Sequence, residues 1–168
     1  MMRLKTVYPD IEFNQIIEPI ISHKEYQTMK NCIHHGMNRY DHMIRVSYYS
    51  YKITKFLHLN YKATARGSVL HDFFHDEDTV SKSKRLVKHA DQALSNSLQY
   101  FELDDLEQDI IKTHMFPLGH RIPKYLESWI VDIVDDVASV FEKTYVVKEN
   151  MSAGLTMILL MFWFVIKK

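Results

Sequence analysis

The chain has one cysteine, Cys32, among its 168 residues. An internal disulfide is therefore excluded, and a reducing, cytoplasmic setting is expected. Glycine and proline number four each and fall between periodic segments, a pattern that predicts long helices joined by short loops. Net charge is also missing: Lys+Arg and Asp+Glu are both 21. Bulk nucleic acid is thus not an expected partner, because no excess of cations drives counterion release. No strand alternation, internal repeat or low-complexity stretch is visible. The opening MMRLKTVYPDIEF holds no continuous apolar run followed by small residues, so no secretory signal is read.

A content of 46% hydrophobic and 25% charged residues is that of one folded domain able to bury a single core. Residues 1–10 read as an irregular arm. A first helix is expected within 11–33, with Ser22 and Glu25 as a capping box. The next runs from about Tyr40 to Leu57, with Met43, Val46, Ile53, Phe56 and Leu57 at helical spacing. Further helices are predicted over Tyr61–Phe73, Lys88–Phe101, a segment opened by Asp104 and Glu107, and Pro123–Tyr145, where Pro123 suits a first turn. The stretches 75–85, including KSKR at 82–85, and FPLGHRIP at 116–123 read as loops. The fold class is all-α.

Met151–Ile166 is different in kind. This segment, MSAGLTMILLMFWFVI, carries no charge and is followed by Lys167-Lys168. As a helix it measures about 24 Å, short of the roughly 30 Å hydrocarbon core of a bilayer. Thinning and lysine snorkelling can close that gap. Membrane contact through 151–166 and docking on protein, either the core or a second subunit, both remain open at this point.

Histidine is the informative residue, with ten in a neutral chain. His71 and Asp72 are adjacent in SVLHDFFHD, beside Val69 and Leu70. Burying an imidazole and a carboxylate there is costly without compensation, and a divalent cation compensates both. His42 lies upstream in YDHMIRVSYYSYKI, His89 in KHADQAL and His114 in IIKTHMFPL. Of Asp132, Asp135 and Asp136, only Asp135 borders the apolar face set by Ile130, Val131, Ile133, Val134, Val137, Ala138 and Phe141. Asp132 is expected to face solvent, and Asp136 lies between. His23, His34, His58 and His75 read as background. Tyr48, Tyr49 and Tyr51 read as core and rim more than as a base-stacking platform.

The order H…HD…H…H…D, over roughly 34–142, resembles the HD-domain superfamily of metal-dependent phosphohydrolases. The resemblance implies a single-domain helical bundle of the HD type at 34–145; by the reading of the chain itself, an arm and helix at 1–33 precede it and an apolar helical tail at 146–168, a candidate membrane anchor, follows it. It also implies that His42, His71, Asp72 and Asp135 hold one divalent metal. His89 and His114 would hold a second, with Asp72 bridging as the catalytic carboxylate. Manganese, iron and zinc all suit such ligands. One departure is that no lysine closely follows His71-Asp72, so charge stabilisation must come from elsewhere.

The implied activity is hydrolysis of a small phosphate ester, such as a nucleotide or dinucleoside polyphosphate, by metal-activated water. His35, Arg45, Arg66 and His120 are candidates for substrate contact. Two other readings stand beside it. One is a di-iron oxygenase built on the same ligands, and the other a membrane-tethered domain that binds nucleotide without turning it over.

Overall fold

Asp10 accepts a hydrogen bond from Phe13 N at 3.1 Å, which caps α1 (Ile11–Ile21). In the computed structural model, residues 8–34, 37–74, 82–119 and 121–144 are described. After α1 come α2 (Lys24–Gln27) and a 3₁₀ turn (Thr28–Asn31), then β1 (Ile33–His34) and β2 (Met37–Asn38). The helices α3 (Arg39–Phe56), α4 (Tyr61–Val69), α5 (Lys82–Tyr100) and α6 (Asp105–Thr113) follow, and α7 covers 126–144. Among the described residues the fold is all-α apart from a two-residue antiparallel ladder that pairs Ile33 with Asn38 and His34 with Met37.

Several boundaries differ from the sequence expectation. Ser22 ends α1, and His23 precedes α2 without a side-chain cap, so the Ser22/Glu25 box does not form. The helix after Asn60 stops at Val69 instead of Phe73, which places His71 and Asp72 in the turn beyond it. KSKR at 82–85 is the first turn of α5, not a loop, and His89 sits inside that helix. Pro123 lies ahead of α7, which begins at 126. Asp104 and Glu107 open α6 as expected, and they do so through a reciprocal capping box. His35, His75, His120 and the tail from 145 onward lie outside the described residues.

The core forms around α3. Phe13, Ile17 and Ile20 of α1 pack with Tyr26, Met29, Met43, Tyr51, Val69, Leu70 and Ile111. A second cluster joins Val46 and Ala63 to Leu106, Ile110, Val131 and Ala138, so α7 closes over α3, α4 and α6. Tyr26 ties the first cluster together by donating to the Val69 carbonyl at 2.9 Å. The approach of α4 to α6 depends on Gly67, where an added Cβ would meet Glu107 Cα at 3.1 Å and the Ile110 side chain at 3.1 Å. This close contact sets the turn after α4 next to the end of α6, and those two places carry His71, Asp72 and His114.

Helical spacing correctly placed Met43 and Val46 inside. Ile53, Phe56 and Leu57 were expected on the same buried face but are exposed. The same holds on α7, where Ile133, Val137 and Phe141 face outward. Among the described residues, no helix is long and apolar enough to cross a membrane.

Candidate metal centre

Six side chains from five places in the chain converge on one buried locus. His42 comes from the first turn of α3, His71 and Asp72 from the turn after α4, His89 from α5, His114 from the end of α6 and Asp135 from α7. All six are buried. His42, His71 and Asp72 form one group able to hold a metal ion, and Asp72, His89 and His114 form another; within each, the ligand atoms lie within 4.8 Å of one another. Asp72 belongs to both. Asp135 closes the first group, with Oδ1 at 2.9 Å from His42 Nε2 and 3.7 Å from His71 Nε2.

The imidazoles are aimed by their other nitrogens. His71 Nδ1 donates to the Ser68 carbonyl at 2.7 Å, and His114 Nδ1 to the Ile111 carbonyl at 2.8 Å. His42 Nδ1 donates to the Glu142 carboxylate, 3.1 Å from each oxygen. Each of these bonds places a proton on Nδ1 and aims Nε2 toward the centre, the orientation that metal-ligating histidines require. His89 Nε2 and His114 Nε2 lie 3.1 Å apart, and His114 Nε2 is 3.6 Å from Asp72 Oδ1.

The locus fits a divalent ion on two observations. First, His71 Nε2 is buried with no hydrogen-bond partner, a costly state that a metal bond would relieve. Second, metal bonds of about 2.0–2.2 Å set neighbouring ligands roughly 3.0–3.5 Å apart. The imidazole–carboxylate ion pairs, from 2.9 Å for His42–Asp135 to 3.8 Å for His89–Asp72, lie around that range, and the ligand atoms of each group stay within 4.8 Å of one another.

Protons and charges balance the centre in the same sense. Burial lowers the affinity of His42 for a proton, but hydrogen bonds to Asp135 and Glu142 outweigh it, pushing the pKa up to about 10. Burial likewise opposes ionisation of Asp72, yet His114, His71 and His89 hold it well below the usual carboxylate range. Asp135 is lowered too: burial is outweighed by His71 and His42. His114 is raised by Asp72 against its own burial. The locus therefore attracts positive charge, whether protons or a metal ion.

Two acidic residues escaped the sequence reading. Asp132 is buried instead of solvent-facing and accepts from Phe116 N at 3.1 Å. Its burial and the charge of Asp136 push its pKa up to about 7. Glu142 is fully enclosed between His42 and Arg45, whose guanidinium donates to it. A signal was available: 135 and 142 are two turns apart and share a helix face.

Of the candidates for substrate contact, Arg45 is held by Glu142, behind His42 relative to Nε2. Arg66 Nε donates to Glu107 at 2.5 Å and its Nη2 to the Glu102 carbonyl at 3.0 Å, which links α4 to α6. A buried arginine that the sequence reading passed over, Arg39, stacks on Phe74 at 4.1 Å and donates to its carbonyl. Phe74 in turn stacks on His89 at 5.3 Å, so Arg39 backs the wall behind that histidine.

Comparison with known proteins brings no match: no family model, no curated protein and no solved structure.

Proposed function

We propose that the chain is a metal-dependent phosphohydrolase of the HD type, acting on a small phosphate ester such as a nucleotide or a dinucleoside polyphosphate. The observation that carries this reading is the sharing of Asp72 between two buried His/Asp groups, the arrangement expected of a paired-metal site. His42, His71 and Asp135 would hold one ion, His89 and His114 the other, with Asp72 between them. Bound there, divalent metal would lower the pKa of water from about 15.7 toward about 7 and supply hydroxide at neutral pH. The chain's own part is to fix three Nε2 lone pairs through Nδ1 bonds, to keep Asp72 and Asp135 ionised, and to exclude bulk water.

The test is elemental mass spectrometry on anaerobically purified protein, together with a panel of nucleotides and dinucleoside polyphosphates. About two ions per chain are expected, with nearly none in His71→Ala and fewer in His89→Ala. Phosphate-ester cleavage is expected with manganese or zinc. Iron as the bound metal, with oxygen consumed and no ester cleaved, would replace this reading with the di-iron oxygenase. Failure to bind metal after reconstitution would sink both and leave a helical binding domain.

A further inference from the structure

The outer faces of α3 and α7 form an apolar groove that the described residues leave open. Ile133, Val137 and Phe141 of α7 are 58%, 64% and 56% exposed, and Ile53 of α3 is 40% exposed. With Tyr49 they line a groove of about 690 Å³, to which Tyr8 and Arg45 also contribute. The groove is separate from the metal centre: Arg45 reaches Glu142, which holds the Nδ1 side of His42, while the ligands meet on the Nε2 side. Residues 49 and 53 on α3, and 133, 137 and 141 on α7, are spaced by four, so each helix presents one continuous stripe.

The two helices run antiparallel. Glu142 near the end of α7 meets His42 and Arg45 near the start of α3, and Glu127 near the start of α7 accepts from Asn60 N just past α3. A third helix laid in the groove would complete a three-helix packing of the kind that buries such stripes.

We infer that the segment Met151–Ile166 of the same chain docks in this groove as a helix antiparallel to α7. Three observations favour this occupant. The segment is uncharged throughout and begins only seven positions after residue 144, so a link over 145–150 suffices for a helix–helix connection, for which 2–8 residues are usual. Its length matches: from 151 to 167 is about 24 Å of helix, and from 144 back to 127 is about 26 Å. In an antiparallel register that sets 151 beside 144, Lys167 and Lys168 would reach the level of Glu127, a charge of opposite sign. In this register Val137 lies opposite Ile158, and Ile133 opposite Phe162. The inference does not depend on the proposed function.

The experiment is cross-linking in the full chain carrying Cys32→Ser and Val137→Cys, with a cysteine placed in turn at each position from 156 to 161. A short bismaleimide is added in detergent-free buffer, and products are read by gel mobility and intact mass. Intramolecular cross-links recurring at three- to four-residue spacing around Ile158 are expected. Cross-linked dimers in their place would assign the groove to a second copy. Flotation with phosphatidylcholine/phosphatidylserine vesicles, with loss of the intramolecular product, would make the segment a membrane anchor. Either result overturns the inference, as does the absence of any product. An independent readout is hydrogen exchange in full-length Ile53→Asp, which alters an already exposed position. Exchange over 151–166 should rise at least tenfold while that of α3–α6 is unchanged; no change in 151–166 overturns the docking.

Discussion

Glu142 and His42 form a buried pair: Nδ1 of the imidazole sits 3.1 Å from both carboxylate oxygens, while Nε2 points the other way, to Asp135 at 2.9 Å. A ring held between two carboxylates is oriented from both sides, and Glu142 fixes the Nδ1 side. Glu142 thus acts as the positioning residue for His42, and Arg45 holds Glu142 in place.

Replacing that carboxylate should loosen the site without emptying it. Glu142→Gln is expected to weaken metal affinity by about 10–100-fold, the usual effect of losing such an outer partner. Competition with a chromophoric chelator measures this directly. Wild-type affinity in Glu142→Gln would remove the positioning role, and unchanged far-UV circular dichroism would separate it from a folding defect.

The centre should exchange protons for metal. His42 is raised from 6.5 to about 10, so below that value a metal ion must displace a proton, and apparent affinity should rise with pH across pH 6–9. Stability of the metal-free protein should move the opposite way. A raised histidine contributes stability that is complete below its unfolded value and is lost as pH climbs toward about 10. The lowered carboxylates Asp72 and Asp135 contribute above their unfolded value of 3.8 and lose it in stronger acid. Thermal melts of chelator-treated protein should therefore fall in midpoint from pH 6.5 to 9, and the added stabilisation by metal should grow over the same interval. A flat profile in both forms would contradict the charge assignment.

Gly67 links packing to the site. A methyl group there would press on the Glu107 backbone at 3.1 Å, and overpacking of this kind costs about 1–3 kcal/mol. Gly67→Ala should lower the urea midpoint accordingly. Because the strain separates α4 from α6, it should also weaken metal binding, since His71 and Asp72 follow one helix and His114 ends the other. Loss of stability with metal affinity intact would show that the two effects are uncoupled.

Much of the local structure was readable from residue order. Asp104 opens α6 and caps it through Glu107 N, and periodicity placed Met43 and Val46 inside. The order H…HD…H…H…D, through its resemblance to the HD-domain superfamily, also singled out the six residues that the fold gathers; the burial argument by itself reached only His71 and Asp72. Boundaries such as the end of α4 at Val69 were not readable, since they depend on how the chain turns to bring His71 under His42.

The facing of α7 was decided only by tertiary structure. Its sequence offers an apolar stripe through Ile133, Val137 and Phe141 and an acidic one through Asp132, Asp135 and Glu142, and hydrophobicity alone turns the first inward. The fold turns the acidic stripe in instead, because His42 and Arg45 of α3 and the Phe116 amide satisfy its carboxylates. Helical spacing determines which residues share a face. Which face is buried depends on what the neighbouring helices present to it.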